Sequence, residues 1–252
     1  MKIAVCISGQ PRNYEQGYHE LKKWFLDKYD CDIYIHAWKD TISSFELSHN
    51  FAQKRHYNFI EEDYSRILEL YQPKNYFFQK PIPFDEGRIV GDLGVGINTI
   101  LSQFYSIQQS FNLAKQSGIN YDLVIRYRFD LQFTDYVSPE CIFLKDLTEI
   151  DPNKFNCFSY QHGDRGQVRP VEVDDLFNVG SMEVMEVHSQ VFPNVLYYTF
   201  MNKEYEEWLV KGCGNPDPYA PETYIMYHLQ KNNIPINYVD SLGTKFTAGI
   251  IR

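Results

Sequence analysis

The stretch Tyr121–Phe133, YDLVIRYRFDLQF, has the pattern of a buried strand that ends in charged residues. The apolar residues 123–125 are followed by Arg126, Arg128 and Asp130 at alternating positions. Alternate residues of an extended strand share one face, so these side chains should line up as the strand leaves the core. Ligands of open α/β sheets bind outside the carboxyl ends of strands, and two guanidinium groups beside a carboxylate suit an anion accompanied by a metal ion. An edge strand with a single Arg–Asp ion pair is the alternative interpretation.

Length and composition indicate one globular domain. The chain has 252 residues and a formal net charge of −9, and this length is sufficient to bury a substantial core. Because the chain is acidic and has no basic run, we do not expect nucleic acid or anionic lipid as a partner. The five cysteines show no CxxC spacing, which indicates neither a disulfide framework nor a zinc site.

No stretch has the pattern of a signal peptide or a membrane span. Met1 leads directly into a strand pattern, and the chain contains no run of 18 consecutive apolar residues. We therefore expect a soluble, cytoplasmic protein without an integral membrane segment.

The beginning of the chain predicts a strand, a helix and a second strand. Residues 2–7 are apolar and lead into SGQPR at residues 8–12, after which apolar residues recur at helical spacing, and residues 31–38 then alternate as in a strand. This order favours a parallel pair of strands. Gly9 permits close backbone approach and Arg12 lies near a helix start, so the turn could hold a phosphate group; an ordinary tight turn explains the sequence about as well.

The next segment predicts a helix ended by Pro73 and a short strand at residues 75–78. On either side the sequence predicts loops, at residues 40–60 and 80–96, and the first of these could act as a lid.

A strongly amphipathic helix is predicted from Asn98 or Thr99 to about Gly118. Uncharged polar residues on its second face could hydrogen-bond a ligand or could simply face solvent. They are Ser102, Gln103, Ser106, Gln109 and Ser110.

The last third predicts a strand at residues 155–160 and a loop at 161–169 that could border a site. DDLFNVGS, at residues 174–181, is interpreted as a turn that leads into a helix capped by its final serine. Pro221 then begins the last predicted helix, with Glu222 in its first turn.

Six segments, in this order along the chain, resemble the GT-A class of nucleotide-sugar glycosyltransferases, in particular small bacterial and viral members. They cover most of the chain and are AVCISGQPR, DIYIHAW, NTILSQFYSIQQS, YDLVIRYRFDL, DDLFNVGSMEVM and PETYIMYHL. The resemblance implies an α/β fold with a GT-A-like (Rossmann-like), mostly parallel central sheet flanked by helices. It implies a single domain over residues 1–252, with a nucleotide-sugar-binding part at 1–135 and an acceptor-side part at 136–252.

The resemblance also implies a metal site. In the family, the strand that matches LVIRYRFDL ends in an Asp-x-Asp signature that holds Mn²⁺ or Mg²⁺ against the sugar-nucleotide diphosphate. The matching residues here are Arg128-Phe129-Asp130, so arginine replaces the first aspartate. Asp130 could still hold a cation together with diphosphate oxygens and waters, or Arg128 could neutralise the diphosphate itself and make the metal dispensable.

The family's motifs also assign roles to individual residues. Asp175 is the first candidate and Glu222 the second for the base that an acceptor hydroxyl needs if the configuration is inverted, although both could be structural charges near helix starts. Asp122 could contact the ribose or serve only as a turn residue. The expected nucleotide-sugar-binding residues are Ser8, Gly9, Gln10, Arg12, Arg126, Arg128 and Asp130.

The activity that the resemblance implies is transfer of a hexose from a nucleotide sugar, with a UDP-linked donor favoured, to a glycan, lipid-linked or surface-polysaccharide acceptor. The alternative is a non-catalytic carbohydrate- or nucleotide-binding module on the same scaffold, in which the RxD sequence marks loss of the metal. A sulfotransferase is disfavoured, because SGQPRNYEQ lacks a basic residue followed by Ser or Thr at the helix start.

Overall fold

The computed structural model describes residues 1–39, 60–84, 89–90, 95–133, 141, 143, 146–160, 172–212, 220–239 and 248–250. The loop predicted at 161–169 lies outside the described residues, as does all of the predicted lid except residue 60. Within the described part of the chain, no helix is long and apolar enough to cross a membrane.

The described elements alternate between strands and helices from β1 to β3, and four consecutive helices follow β9. The strands are β1 (Lys2–Gly9), β2 (Asp30–Trp38), β3 (Asn75–Gln79), β4 (Ile89–Val90), β5 (Val95–Gly96), β6 (Leu123–Tyr127), β7 (Leu131–Phe133), β8 (Phe155–Tyr160), β9 (Glu172–Gly180), β10 (Ile236–Tyr238) and β11 (Ala248–Ile250). The helices are α1 (Tyr14–Leu21), α2 (Glu61–Tyr71), α3 (Ile97–Gln116), α4 (Met182–Ser189), α5 (Val191–Phe200), α6 (Lys203–Gly212) and α7 (Pro221–Lys231). A π-helical turn at Lys22–Leu26 extends α1, and a 3₁₀ turn spans Leu147–Glu149.

A seven-stranded sheet of order β10-β8-β9-β6-β1-β2-β3 forms the centre of the molecule. β6, β1, β2 and β3 are parallel to one another, β10 is parallel to β8, and β9 is antiparallel to both of its neighbours. The prediction of an α/β fold with a mostly parallel sheet flanked by helices is thus confirmed. Because β9 alone is reversed, its first residues reach the same edge of the sheet as the last residues of β6.

Helices cover both faces of the sheet and enclose two apolar cores. The residues of β1 alternate between these two cores. Ala4 and Cys6 face the core beneath α3, α4, α5 and α7. Ile3, Val5 and Ile7 face the core beneath α1 and α2. Burial on both faces explains why the parallel strands read as continuous apolar runs in the sequence.

Two predictions are wrong. The loop predicted at residues 80–96 contains the short antiparallel strands β4 and β5. Residues 174–180, interpreted as a turn before a helix, belong to the strand β9, which pairs with β6 and β8. Aspartate, asparagine and glycine are typical of turns, but pairing with two neighbouring strands outweighs this local preference. The cap predicted for the following helix is confirmed, because the Ser181 hydroxyl accepts a hydrogen bond from the Val184 amide at 3.3 Å.

α1 packs with its backbone directly against the turn that joins β6 to β7. Gly17 is buried in this contact, and a Cβ atom there would lie 1.7 Å from the carbonyl oxygen of Phe129. The Tyr127 hydroxyl, at the end of β6, donates a hydrogen bond to the Gly17 carbonyl at 3.4 Å. Gly17 therefore sets the distance between α1 and the residue that follows Phe129, which is Asp130.

We predict that Gly17→Ala destabilises the protein, although alanine is the better helix former. In an open helix the change would stabilise by about 1 kcal/mol. The added methyl group overlaps the Phe129 carbonyl, so α1 has to move, and we expect the free energy of unfolding to fall by about 1–3 kcal/mol in urea denaturation.

The control is Gln16→Ala, which changes an exposed residue of the same helix. It should leave the free energy of unfolding within about 0.5 kcal/mol of the wild type. If Gly17→Ala stabilises the protein instead, α1 does not pack at this distance.

Candidate functional site

Charged side chains gather at the edge of the sheet where β1 and β6 end and β9 begins. Arg12 follows β1, Arg126 and Arg128 lie at the end of β6, and the first half of β9 brings in two aspartates. Arg126, Asp130, Asp174 and Asp175 are buried, with exposed fractions of 2, 2, 5 and 8%. We call the following six residues the charged cluster: Arg12, Arg126, Arg128, Asp130, Asp174 and Asp175.

Asp130 holds two of the arginines. Arg128 donates from Nε to Asp130 Oδ1 at 2.8 Å and from Nη2 to Oδ2 at 3.1 Å, while Arg12 Nη2 lies 3.5 Å from Oδ2. Burial would raise the pKa of Asp130, but the charge and hydrogen bonds of Arg128, together with Arg12, hold that pKa below its usual value. β6 lies between β1 and β9, so the alternative of an edge strand with a single ion pair is wrong.

Asp130 as placed does not fit a site for a divalent cation. Both of its oxygens face guanidinium groups, so a cation would have to displace Arg128 and would be repelled by the remaining positive charges. Among the residues that the structure describes, no three His, Cys, Asp or Glu side chains converge as metal ligands do. Binding of Mn²⁺ or Mg²⁺ stays a prediction from the family resemblance.

Arg126 is the most deeply buried arginine of the cluster. Its Nη1 donates a hydrogen bond to the Leu176 carbonyl on β9, whereas its buried Nε has no hydrogen-bond partner within the described ranges. Burial lowers the pKa of Arg126 to about 10, against the attraction of the nearby aspartates, so the group remains a cation at neutral pH. Arg126 therefore adds an incompletely paired positive charge to the site.

An irregularity in β9 presents the two aspartates. β8 and β9 pair Cys157 with Asn178 and Ser159 with Val173, so four residues of β9, 174–177, stand opposite a single residue of β8. We call residues 174–177 the β9 bulge. Bulges redirect side chains and are over-represented next to active sites.

Hydrogen bonds that Asp174 accepts hold the β9 bulge in shape. Its Oδ1 accepts from the Leu176 amide at 3.0 Å, and its carbonyl oxygen accepts from Asn178 Nδ2 at 2.7 Å. Asp175 lies between Asp174 and Leu176, and its Oδ2 accepts from Gln103 Nε2 on α3 at 2.5 Å. The bulge and α3 together fix the direction of the Asp175 side chain.

Burial and a neighbouring charge set the ionisation of Asp174. Burial, and then the charge of Asp175, raise the pKa of Asp174 to about 8, so Asp174 is largely protonated at neutral pH. The guanidinium groups of Arg12, Arg126 and Arg128 come together here, and the buried Nε of Arg126 has no hydrogen-bond partner among the described residues. The charged cluster is therefore suited to an anion.

The turn after β1 is tied to α3. Gly9 has a φ of 113°, a conformation that favours glycine, and its amide donates to Ser106 Oγ at 2.8 Å. The same Ser106 oxygen lies 2.8 Å from His36 Nδ1 on β2. Since the Gly9 amide is already bonded, a phosphate at this turn would have to use other groups, Arg12 first among them.

α3 supplies residues that the sequence only partly identified. Ser106 and Ser110 are fully buried, so the interpretation of this face as simply solvated is wrong for both of them. Gln103 contacts Asp175, a role that the row of uncharged polar residues suggested but could not place. Asp174 received no role from the sequence, and the adjacent pair of aspartates was the only signal for it.

The predicted site residues fall into two groups. Arg12, Arg126, Arg128, Asp130 and Asp175 come together in the charged cluster. Ser8, Gly9 and Gln10 form the end of β1 and the turn that leads to Arg12.

Two other predicted residues are described separately. Glu222 lies in the first turn of α7 and is half-buried. Asp122 Oδ2 accepts from the Lys2 amide at 2.6 Å, at the opposite edge of the sheet, so its role as a turn residue is favoured.

A groove of about 410 Å³ lies at that opposite edge, where β2 begins. Its walls include Tyr18, Tyr29, Asp32 and Lys74, and the last two are paired with each other at 2.9 Å. The groove is thus remote from the carboxyl ends of the strands, and its lining residues do not include those of the charged cluster.

We predict that Asp174 lowers the stability of the protein as pH rises. Its folded-state pKa lies above the value of about 3.9 for an unfolded aspartate, so the folded state holds a proton that the unfolded state releases. The stability that this proton contributes is present below about pH 4 and is lost as pH rises to about 8. Relative to Asp174→Asn, the wild-type free energy of unfolding should fall by up to about 1.4 kcal/mol per pH unit over this interval, measured by urea denaturation from pH 5 to 8.

Asp130→Asn is the matched control, because the pKa of Asp130 is lowered rather than raised. The stabilising contribution of the Asp130 carboxylate is lost only when pH falls below about 4. Asp130→Asn leaves the buried guanidinium groups unpaired, so it should lower the free energy of unfolding by about 3–5 kcal/mol, and by the same amount at every pH from 5 to 8. If the free energies of unfolding of the wild type and Asp174→Asn differ by the same amount at every pH, the pKa of Asp174 is not raised.

The charged cluster is defined by its own geometry, and similarity to other proteins adds nothing to it. No protein-family model matches the chain, and no curated protein matches it significantly in sequence. What the site does therefore has to be inferred from the chemistry of its side chains and from the sheet that positions them.

Proposed function

We propose that the protein is a GT-A-like, Rossmann-like glycosyltransferase that moves a hexose from a nucleotide sugar to a glycan, lipid-linked or surface-polysaccharide acceptor. We favour a UDP-linked donor, and the charged cluster would bind its diphosphate. The observation that carries the proposal is the gathering of Arg12, Arg126 and Arg128 at the carboxyl ends of the parallel strands β1 and β6. Ligands of open α/β sheets bind at this edge.

The arginines are arranged to receive phosphate oxygens. The Arg12 and Arg128 side chains are 14 and 15% exposed, so both retain access from the solvent side, while Asp130 holds them in place. A guanidinium group binds phosphate oxygens through paired, charge-assisted hydrogen bonds. Departure of a nucleoside diphosphate from the sugar builds negative charge on that diphosphate, and fixed positive groups at this position would stabilise it.

Asp175 is the residue that the geometry favours as the base for an inverting reaction. The acceptor hydroxyl would attack the anomeric carbon, the bond from that carbon to the diphosphate oxygen would break, and Asp175 would take the hydroxyl proton. Its carboxylate belongs to the charged cluster, accepts a hydrogen bond from Gln103 and lies near Arg126. Glu222 keeps its place as the second candidate.

A non-catalytic nucleotide- or carbohydrate-binding module remains the second proposal. The observation that favours it is the engagement of Asp130 by Arg128 and Arg12, which leaves this carboxylate occupied where the family holds a metal ion. Such a module would bind the donor through the same arginines and would not cleave it.

We predict that calorimetric titration with nucleotides and with UDP-, GDP-, CMP- and dTDP-sugars identifies one nucleoside diphosphate class that binds. The titrations are made with and without Mn²⁺, which decides whether a metal contributes. Arg12→Ala should weaken binding of that ligand about 10- to 150-fold, because it removes a charge-assisted hydrogen bond worth about 1.5–3 kcal/mol. Arg66→Ala, a change at an exposed arginine of α2, should leave the affinity unchanged.

Asp175→Asn separates the enzyme from the binding module. For the enzyme, release of the nucleoside diphosphate from the bound donor, with water or added saccharide as acceptor, should fall about 10²- to 10⁴-fold while donor affinity is retained. A wild type that binds the donor without cleaving it would support the module instead. Absence of binding to every member of the panel, with and without Mn²⁺, would refute both proposals.

A further inference from the structure

We propose that Asp174 is a positioning residue, which acts through the β9 bulge to direct the carboxylate of Asp175 toward the acceptor. This inference rests on the proposed function and adds to it a residue that does not itself touch the reacting atoms.

The hydrogen bonds of Asp174 enclose Asp175. The bond from the Leu176 amide to Asp174 Oδ1, at 3.0 Å, closes a tight turn with Asp175 at its apex. On the carboxyl side, Asn178 Nδ2 donates to the Asp174 carbonyl at 2.7 Å and Arg126 donates to the Leu176 carbonyl. The residues on both sides of Asp175 are thereby fixed, which leaves its side chain as the part that projects from the turn.

Burial makes this turn dependent on its own hydrogen bonds. Asp174 is 5% exposed and Asn178 is fully buried, so water has little access to replace a bond that is lost. Truncation of Asp174 would leave the Leu176 amide without its acceptor in this setting. The four residues of the bulge have few cross-strand partners, because they stand opposite one residue of β8. A lost side-chain bond would therefore change the local backbone and with it the direction of Asp175.

Asp174 is poorly suited to be the base itself. One of its oxygens is used by the Leu176 amide, and the other is buried without a hydrogen-bond partner among the described residues. The group is also largely protonated at neutral pH, so it cannot accept a further proton there. A neutral Asp174 places no second negative charge beside Asp175. It therefore does not compete with Asp175 for Arg126 and Arg128.

The test compares Asp174→Ala with Asp174→Asn in the donor-cleavage assay. Asparagine keeps an acceptor oxygen for the Leu176 amide, so Asp174→Asn should retain kcat within about threefold, whereas Asp174→Ala should lower kcat about 10- to 100-fold. The Kd for the donor, measured by calorimetry, should change less than threefold in both variants, because the arginines that bind the diphosphate are intact.

A double-substitution cycle shows whether Asp174 acts through Asp175. In an Asp175→Asn background, Asp174→Ala should cause little further loss of kcat, because the group that it directs is already absent. Asn178→Ala, which removes the other bond to Asp174, provides the same comparison if Asp174→Ala does not fold, and it should lower kcat with donor Kd retained.

Each result distinguishes this inference from the proposed function. If the wild type cleaves donor and Asp174→Asn is as impaired as Asp174→Ala, the charge or proton of Asp174 is required and the positioning role is refuted. Full activity of Asp174→Ala, or of Asn178→Ala where that variant is needed, also refutes it. A wild type that neither binds nor cleaves any donor refutes the proposed function, and this inference falls with it.

Discussion

The ion pair between Arg128 and Asp130 is the constraint on which the edge of the sheet depends. A charge this far from water is tolerated only when it is paired, so the chain has to turn immediately after β6 and bring Asp130 back to Arg128. The same carboxylate attracts Arg12 from the turn before α1, and Gly17 lets α1 come close enough for this to happen. A single buried carboxylate thus sets the positions of two cations that come from distant parts of the sequence.

The directions of the strands bring the other charged side chains to the same edge of the sheet. Parallel strands deliver the arginines at their carboxyl ends, and the reversed strand β9 delivers aspartates to the same edge at its beginning. The sheet would place these groups on opposite edges if β9 ran with its neighbours. Opposite charges therefore meet without any loop having to carry them across the molecule, and the site rests on regular elements that are packed on both faces.

The sequence predicted the elements whose patterns are local. The apolar runs of β1 and β6 and the periodicity of α3 are visible within a few residues, and they led correctly to the carboxyl edge of a parallel sheet. The strand β9 was missed because its aspartates, asparagine and glycine are typical of turns and its pairing is non-local. The contact between Gly9 and Ser106 spans 97 positions, and the raised pKa of Asp174 depends on burial, so neither had a local signal.

The β9 bulge has a consequence for how this chain can change during evolution. Its four residues are absorbed opposite one residue of β8, while the pairing on either side continues undisturbed. Loss or gain of a residue before Phe177, which is buried in the core, would rotate Asp175 to a new direction while the strand pairs on either side of the bulge keep their register. A lineage could therefore alter or silence the chemistry at this edge by a short insertion or deletion and keep the strand pairing around it.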